Sequence, residues 1–308
     1  MYDLIIIGGS AAGTAASVYA SRRKLNFLVI AKDLSGEVAV SGDVDNFPAI
    51  VHTTGIELSQ KFQEQQKANE VPTRVGRVVT AVELQDGGTF RITAKNEQDE
   101  VEVYEALSVI LATGSHPRYL GVPGEEQLNH RGVTYCTVCD GPLFRNRITA
   151  TIGTGNSALE SALMMAEIAK KHYVLTKYPS FKGETILIDK VLAHPNIEIL
   201  SEAMTQRIEG ENKVEAIVYK DKSGEEKRLE VQGVFVHIGL IPQSDFITCV
   251  EKLPSGHIVV DKLGRTSVPG IFAAGDVTDI PYYQIGIATG MGITAALSAI
   301  SYLNTRAA

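Results

Sequence analysis

The chain has 308 residues, 44% of them hydrophobic and 21% charged, and a formal net charge of -7. This length allows two domains with separate cores, the composition is that of a soluble globular protein, and the acidic balance argues against a nucleic-acid partner. No stretch approaches about 18 uninterrupted apolar residues, and no basic leader region precedes the first strand. No membrane partner and no signal peptide are therefore expected.

The first motif is a glycine loop between a strand and a helix. The continuous apolar run Leu4–Ile7 is typical of a strand buried on both faces, and a small-residue helix is predicted over residues 14–20. Between them lies Gly-Gly-Ser-Ala-Ala-Gly, a dinucleotide fingerprint with serine in place of its second glycine. Beyond a second strand, at 27–30, a carboxylate stands at the distance suited to ribose hydroxyls. We predict dinucleotide contacts at Gly8, Ser10, Ala11, Ala12, Gly13 and Asp33, and a turn that binds nothing is the alternative.

The following segment predicts a helix over residues 55–68 and strands over 75–84, 89–93, 101–104 and 109–112. Thr113 and Gly114 follow the last of these strands. Small residues at a strand end allow the backbone to approach another group closely. We therefore predict that Thr113 and Gly114 lie against the cofactor.

Two cysteines stand two residues apart in Cys136-Thr137-Val138-Cys139-Asp140-Gly141. A structural zinc site would need two further ligands in similar spacing, and Cys249 is the one remaining cysteine. A purely structural disulfide is a second alternative, but so short a loop removes little entropy from the unfolded chain. We favour a catalytic dithiol, since this spacing lowers the pKa of one thiol. Asp140 adjoins the second sulfur and is predicted to manage a proton during thiol–disulfide exchange.

A second strand, glycine loop and helix follow the cysteines. The strand is predicted over 148–152 and the helix over 159–170, with Gly-Thr-Gly-Asn-Ser-Ala between them. We predict nucleotide contacts at Gly153, Gly155, Asn156 and Ser157. The next strand, over 172–176, ends at Thr176, with Lys177 and Lys182 nearby and no carboxylate. Lysines favour the 2′-phosphate of NADP, although solvated surface lysines are an equal alternative.

The rest of the chain predicts strands over 214–220, 227–231 and 234–238, then a strand from Gly270 that ends in Gly275 and Asp276, and a helix over 285–302. The fold class is α/β, with two Rossmann-like three-layer (ββα) nucleotide-binding domains, the second inserted into the first. The expected domains are 1–113, 114–240 and 241–308, of which the first and last form one domain. Glycines at both crossings favour a hinge rotation of the inserted domain.

The order of these motifs resembles low-molecular-weight thioredoxin reductases and, slightly more closely, the flavoprotein of alkyl hydroperoxide reductase. The resemblance runs almost from end to end, through Val44-Asp45-Asn46-Phe47-Pro48, Ala112-Thr113-Gly114, the two-cysteine motif, the loop 153–158 and the segment 270–277. It implies FAD in the first site, NADPH or NADH in the second, and a homodimer. A cytoplasmic protein is expected on the separate ground that no signal peptide or membrane span is predicted. FAD would be held by Ser10–Gly13, Asp33, Gly36, Glu37, Asn46, Asp276, Tyr283, Gln284 and Ile285; Glu37 stands where the family usually has glutamine.

The resemblance implies an electron path from the donor through FAD and the dithiol to thioredoxin or a similar small dithiol protein. Cys139 would be the flavin-side sulfur and Cys136 the thiol that attacks the substrate. The arginines that read NADP in thioredoxin reductases are absent, and the peroxide-reductase branch, which prefers NADH, carries a carboxylate where this chain has Thr176. Because no thioredoxin-like module precedes Met1, the acceptor is expected to be a separate protein.

Three other functions remain open on the sequence. The same flavin and dithiol are suited to reduction by ferredoxin or another non-nicotinamide carrier. They also suit an oxygen-dependent dithiol oxidase, against which the intact loop at Gly153 argues. A flavin-bound redox sensor or scaffold is the third, against which the retention of both thiols and Asp140 argues.

Overall fold

A computed structural model describes residues 1–306, which form two compact units. Unit 1 combines Met1–His116 with the chain from Ile241 onward, and unit 2 is Pro117–Leu240. The two divisions fall at the short strands β9 (Ser115–Pro117) and β18 (Leu240–Pro242), which pair in a two-stranded sheet.

Unit 1 is built on a seven-stranded sheet. Its elements before β9 are β1 (Tyr2–Ile7), α1 (Ala11–Arg22), β2 (Phe27–Ala31), α2 (Gly36–Ala39), β3 (Asp43–Val44), β4 (Thr53–Thr54), α3 (Gly55–Ala68), β5 (Thr73–Val75), β6 (Val78–Leu84), β7 (Phe90–Lys95) and β8 (Val101–Leu111), and those after β18 are β19 (Ile271–Ala273) and α7 (Ile285–Arg306). The strand order is β5-β2-β1-β8-β7-β6, and β19 also pairs with β8. The β5-β2-β1-β8-β19 part is parallel, and β6 to β8 are antiparallel.

The central strand β1 is apolar from Leu4 to Ile7 because both faces of the sheet are covered there. Leu4 and Ile6 pack into a core with α1, α3 and α7, whereas Ile5 and Ile7 pack into the core on the opposite face. All four are at most 3% exposed. Successive side chains of a strand point to opposite faces, so a continuous apolar run is what this position requires.

Small residues allow α1 and α7 to pack closely beneath the sheet. A Cβ on Gly292 would lie 2.1 Å from the carbonyl oxygen of Ala12, and Ala295, Ala296 and Ala299 are fully buried. By length and apolar composition, α7 is the one candidate membrane span among residues 1–306. Core helices meet the same criterion, and the packed alanine face of α7 is that of a core helix.

Unit 2 contains two sheets. Its elements are β10 (Val133–Thr134), α4 (Thr137–Asp140), a 3-10 turn (Gly141–Phe144), β11 (Ile148–Gly153), α5 (Asn156–Ile168), β12 (Lys171–Thr176), α6 (Thr185–Ala193), β13 (Ile197–Ser201), β14 (Met204–Glu209), β15 (Ala216–Lys220), β16 (Glu226–Glu230) and β17 (Gly233–His237). The parallel sheet has the order β10-β17-β11-β12-β13, and β14-β15-β16 is antiparallel. The predicted α/β class with Rossmann-like parallel sheets is confirmed.

Two sequence-based strand predictions differ from the structure. The strand expected over 75–84 is divided into β5 and β6 at Gly76, whose φ of 73° interrupts the extended backbone. The strands expected over 101–104 and 109–112 are one continuous strand, β8, whose first half pairs with β7 and whose second half pairs with β1. The polar first half of β8 is half-exposed, which is why its sequence resembles a strand end.

Candidate functional site

Cys136 and Cys139 are joined by a disulfide with an S–S distance of 2.09 Å. Cys136 is the N-cap residue of α4, and its Sγ accepts a hydrogen bond of 3.1 Å from the backbone N–H of Cys139. A sulfur at the start of a helix is in the position where backbone N–H groups stabilise a thiolate. Within residues 1–306, no group of three or more His, Cys, Asp or Glu side chains is arranged to hold a metal ion.

Asp140 lies half-buried beside the disulfide. The hydroxyl of Thr134, at the end of β10, donates a hydrogen bond to the carboxylate of Asp140. The oxygen of the same hydroxyl accepts from the backbone N–H of Cys136 at 3.2 Å. Thr134 therefore links the acid to the N-terminal cysteine, a role that sequence reasoning missed because threonine at a strand end carries no specific signal.

A buried carboxylate supports the other side of the motif. Glu125 is 3% exposed and accepts hydrogen bonds from the N–H groups of Leu120 and Gly121 at 2.8 and 2.7 Å. It also accepts from the hydroxyl of Tyr135, at 3.0 Å. Burial and the charge of Glu125 raise the pKa of Tyr135, so this tyrosine stays protonated, and its hydrogen bond to Glu125 holds the residue before Cys136 in place.

The nucleotide loop of unit 2 joins β11 to α5. A Cβ on Gly153 would lie 2.3 Å from the carbonyl oxygen of His237, so only glycine fits there. The N-cap residue of α5 is Gly155, so no side chain caps the N–H groups at the start of this helix. Its first turn begins with Asn156 and Ser157 and contains no acidic residue. The free N–H groups at this helix start suit a pyrophosphate, as predicted for Gly153, Gly155, Asn156 and Ser157.

Three side chains near the end of β12 form an aromatic and cationic cluster. The ammonium groups of Lys182 and Lys177 lie 3.8 and 5.3 Å from the ring centroid of Tyr178. Neither lysine forms an ion pair with a carboxylate of the described chain, and two like charges on one ring suit an anionic ligand. Thr176 bonds instead to its neighbours, with its Oγ1 3.1 Å from that of Thr154.

Sequence reasoning missed a carboxylate beside this loop. Glu184 and Asn156 exchange two hydrogen bonds, from Asn156 Nδ2 to Glu184 Oε1 at 2.9 Å and from the Glu184 N–H to Asn156 Oδ1 at 2.7 Å. Asn156 is therefore oriented by the segment after Lys182 and not by the loop alone.

The glycine loop of unit 1 has the same construction at the end of β1. Cβ atoms on Gly8 and Gly13 would lie 2.2 Å and 1.9 Å from backbone oxygens. Helix α1 starts at Ala11 and Ala12 and has no acidic residue in its first turn. The hydroxyl of the N-cap residue Ser10 donates to the carbonyl of Ser35 and does not cap the N–H groups of the helix. The loop thus keeps free N–H groups for a phosphate. Asp33 accepts from the N–H groups of Ser35 and Gly36 at 2.9 and 2.6 Å, which shapes the neighbouring loop.

Asp276 is the second carboxylate of this site. Its Oδ1 is buried and has no hydrogen-bond partner within residues 1–306. Burial, and secondly the charge of Glu37, raise the pKa of Asp276 to about 7. Partial desolvation and the charge of Asp33 raise the pKa of Glu37 as well. An unpartnered buried acceptor next to a phosphate-binding loop fits a ligand that carries hydroxyl groups, such as the ribityl chain of FAD.

The remaining predicted flavin residues come from both parts of unit 1. The amide of Asn46 donates to Gln284 Oε1 at 3.1 Å, which brings two of them together just before α7 begins at Ile285. The hydroxyl of Tyr283 lies 3.3 Å from His257 Nε2. Thr113 donates to the carbonyl of Gln243 at 2.5 Å. Gly114, Gly36 and Gly275 all have positive φ, so each requires glycine at its turn.

A buried glutamine on α3 holds the unit 1 loop and was missed from the sequence. The amide nitrogen of Gln66 donates to the carbonyl of Gly9 at 3.0 Å and to the hydroxyl of Thr14 at 2.7 Å. Gln66 is 3% exposed. It fixes the loop from behind, and the available sequence signal was its spacing, four residues after Phe62 and eight after Leu58 on the buried face of α3.

The sequence profile of the family described as pyridine nucleotide-disulphide oxidoreductase matches residues 2–298. The chain is 38% identical over 304 residues to an "NADH dehydrogenase" of Bacillus subtilis, and 38% identical over 318 residues to an alkyl hydroperoxide reductase subunit of Pseudomonas aeruginosa. Each alignment covers 98% of this chain and 58% of the relative, so the chain spans a little over half the length of these relatives. The thioredoxin reductase of Streptococcus pyogenes superposes with a TM-score of 0.91, at 34% identity and 99% coverage of both chains.

The chain belongs to the pyridine nucleotide-disulphide oxidoreductase family. Within it, the chain resembles the low-molecular-weight thioredoxin reductases in fold and in extent, as the sequence resemblance indicated. Proteins of this family use FAD and NAD(P)H as cofactors.

Proposed function

We propose that this thioredoxin reductase-like protein is an FAD-dependent disulfide reductase that passes electrons from NADPH to the Cys136–Cys139 disulfide and on to thioredoxin or a similar small dithiol protein. The observation that carries the proposal is the disulfide at the start of α4, with Asp140 beside it and a nucleotide loop in the same unit. A homodimer in the cytoplasm is part of the proposal.

Unit 1 supplies the residues that bind FAD, which carries the electrons between the nicotinamide and the disulfide. The N–H groups of residues 10–13 would bind its phosphates. Asp276 would accept from its hydroxyl groups, and Asp33, Asn46, Tyr283 and Gln284 would be further contacts. Gly8, Gly36 and Gly275 leave the space, and Gln66 and Ser10 hold the loops. The charge of Glu37, beside that of Asp33, disfavours a nearby phosphate.

The residues of α4 carry the exchange with the acceptor. Once the disulfide is reduced by two electrons, the thiolate of Cys136 attacks one sulfur of the acceptor disulfide and releases the other as a thiolate, which takes a proton from solvent. Cys139 then attacks Cys136, which frees the second acceptor thiol and restores the disulfide. Asp140 is placed to take the proton of Cys139 and to pass it to the departing sulfur.

The donor is argued from the lysine cluster. Lys177 and Lys182 both lie near the ring of Tyr178 and form no ion pair with a carboxylate of the described chain, which supports a 2′-phosphate and hence NADPH. NADH is the second candidate, because a relative at 38% identity is called an NADH dehydrogenase. Reduction by ferredoxin or another carrier, or oxidation of the dithiol by oxygen, would use the same flavin and disulfide.

Anaerobic titration of the FAD-loaded protein distinguishes these donors. NADPH should bleach the visible flavin absorbance, at about 450 nm, at lower concentration than NADH. Bleaching by NADH alone would replace NADPH as the donor. If neither nucleotide bleaches the flavin and reduced ferredoxin does, the carrier-driven alternative replaces the nicotinamide proposal.

A further inference from the structure

A chain of hydrogen bonds runs from the middle of the two-cysteine motif into the core of unit 2. The Oγ1 of Thr137 lies 2.6 Å from the Oγ of Ser161 and 2.7 Å from Nε2 of His237. Ser161 continues to the Oγ1 of Thr151 at 2.9 Å, which lies 3.1 Å from Nε2 of His172. We call these five residues the hydroxyl chain.

The hydroxyl chain is continuous and buried. Thr137, Ser161, Thr151 and His172 are at most 5% exposed, and His237 is partly buried. Each of the three hydroxyls has two partners within the chain, so none of them is left without a hydrogen bond. Burial lowers the pKa of His172 to about 3, so this ring is neutral and has a single N–H.

Four secondary-structure elements hold Thr137 through this chain. Ser161 is on α5, Thr151 on β11, His172 on β12 and His237 on β17. Helix α4 has only four residues and is too short to be stable through its own hydrogen bonds. Its orientation therefore depends on such anchors, and Thr137 is its one buried residue.

The orientation of α4 sets the environment of Cys136. The N–H of Cys139 that donates to Cys136 Sγ belongs to α4, and a thiolate at Cys136 is stabilised while this N–H remains directed at it. Stabilising the thiolate favours the dithiol over the disulfide, because the thiolate exists only after reduction. The position of α4 thus affects the reduction potential.

We propose that His237 and Ser161 are positioning residues that hold α4 through Thr137 and thereby raise the reduction potential of the Cys136–Cys139 pair. This inference rests on the proposed role of that pair as the redox centre. The reaction concerned is reduction of one disulfide by two electrons, with dithiothreitol as the reductant, which becomes its cyclic disulfide. Dithiothreitol releases two protons as it is oxidised. One protonates Cys139, and the other passes to solvent when Cys136 ionises to its thiolate.

The test measures the potential directly. The FAD-loaded protein without nicotinamide nucleotide is equilibrated in dithiothreitol redox buffers, and Cys136 and Cys139 are then alkylated and quantified by mass spectrometry. Thr137→Val, Ser161→Ala and His237→Leu should each lower the equilibrium constant for reduction about three- to tenfold, or about 14 to 30 mV. The measured pKa of Cys136, from the rate of alkylation against pH, should rise in parallel.

Two controls separate positioning from stability. Thr137→Ser keeps the hydroxyl and should retain the wild-type potential. Thr205→Val removes a buried hydroxyl that has no partner in the described chain, on β14 of the same unit, and should leave the potential unchanged. If the three test variants fold with the wild-type potential and thiol pKa, the chain only satisfies buried polar groups and the inference is wrong.

The outcomes also distinguish this inference from the proposed function. A wild-type protein whose Cys136–Cys139 disulfide takes no part in turnover would refute the proposed function, whatever the variants show. A normal reductase with unchanged potentials in the variants would refute only the inference. If Thr137→Val fails to fold, Ser161→Ala removes a single oxygen and decides the question with the same readout.

Discussion

Asp140 is the residue on which the proton transfer of the proposed exchange depends. It is fixed by the hydroxyl of Thr134, which also binds the N–H of Cys136. Asp140→Asn keeps the shape and the hydrogen-bond acceptor but removes the titrating group. We expect a folded protein that retains FAD and turns over roughly tenfold or more slowly with thioredoxin, in line with general acid–base contributions. Wild-type kcat in this variant would remove Asp140 from the mechanism.

Asp276 makes a prediction about the flavin-free protein. Its pKa rises from 3.8 to about 7 through burial and the charge of Glu37, so the folded state binds this proton more tightly than the unfolded state. This proton contributes fully to the free energy of unfolding below a pH of about 4. The contribution, about 4 kcal/mol, is lost as the pH rises through about 7.

Thermal or urea unfolding at pH 5 and pH 8 tests this sign. The flavin-free wild-type protein should lose stability between these two values relative to Asp276→Asn, whose side chain does not titrate. Parallel pH profiles for the two proteins would mean that Asp276 is ionised in both the folded and the unfolded protein over this pH range. Burial would then not raise its pKa.

At the scale of elements, the loop after β12 decides the donor. Lys177 and Lys182 both face the ring of Tyr178. Replacing both with alanine should lower the NADPH/NADH ratio of kcat/KM by about tenfold or more, since each lost charge-assisted contact is worth roughly 1.5–3 kcal/mol in the absence of screening. Lys222, a distant lysine on the β15–β16 turn, offers a matched control, and Lys222→Ala should leave the ratio unchanged. An unaltered ratio in the double variant would show that these lysines do not read the phosphate.

The elements that the sequence predicts best are those with a local chemical cause. Helix α3 has the predicted bounds because Thr54 and Glu57 form a capping box at its start. A glycine inside a strand pattern, as at Gly76, is itself a signal for the break. Helix α6 and strands β13 and β14 were not predicted. The sequence of α6 is apolar on more than one side, because Ile186 and Leu192 are exposed while Leu187, Ile188 and Val191 pack in the core, so no polar face marks it as an amphipathic helix.

The candidate site divides in the same way. Each glycine loop, and the pair of cysteines, lies within one short stretch of sequence and can be recognised there. At both loops the helix that follows begins without a side-chain cap on its N–H groups. Thr134, Gln66 and the hydroxyl chain act across separations of up to 100 residues, as between Thr137 and His237. Spacing can place such a residue on a buried face, as it does Gln66, but it does not identify the partner, because that is determined by how the elements pack.

At the scale of the molecule, the chain passes between the two units twice, beside Gly114 and Gly239. These glycines have φ of 69° and 113°, conformations in which other residues are strained, and an added Cβ on either would meet no atom closer than 3.9 Å. Backbone of this kind absorbs large changes of φ and ψ. We propose a hinge rotation at these positions, so that one unit 2 serves both flavin reduction and flavin oxidation.

Locking the units tests the hinge. A reversible cross-link between units 1 and 2 should limit the enzyme to one half-reaction, because chemistry that alternates between two orientations cannot proceed in one. Cleavage of the cross-link should restore turnover, which controls for damage by the reagent. Continuous turnover of the locked enzyme would exclude an obligatory rotation.

The central claim is that the Cys136–Cys139 pair accepts electrons from the nicotinamide nucleotide and passes them to a protein disulfide. Anaerobic alkylation and mass spectrometry of the FAD-loaded enzyme test it most directly, with the labelling of Cys249 as the internal reference. Addition of one equivalent of NADPH should convert Cys136 and Cys139 from the disulfide to alkylated thiols, and oxidised thioredoxin added before alkylation should restore the disulfide. A flavin that is bleached by the donor while Cys136 and Cys139 stay unlabelled would contradict the account.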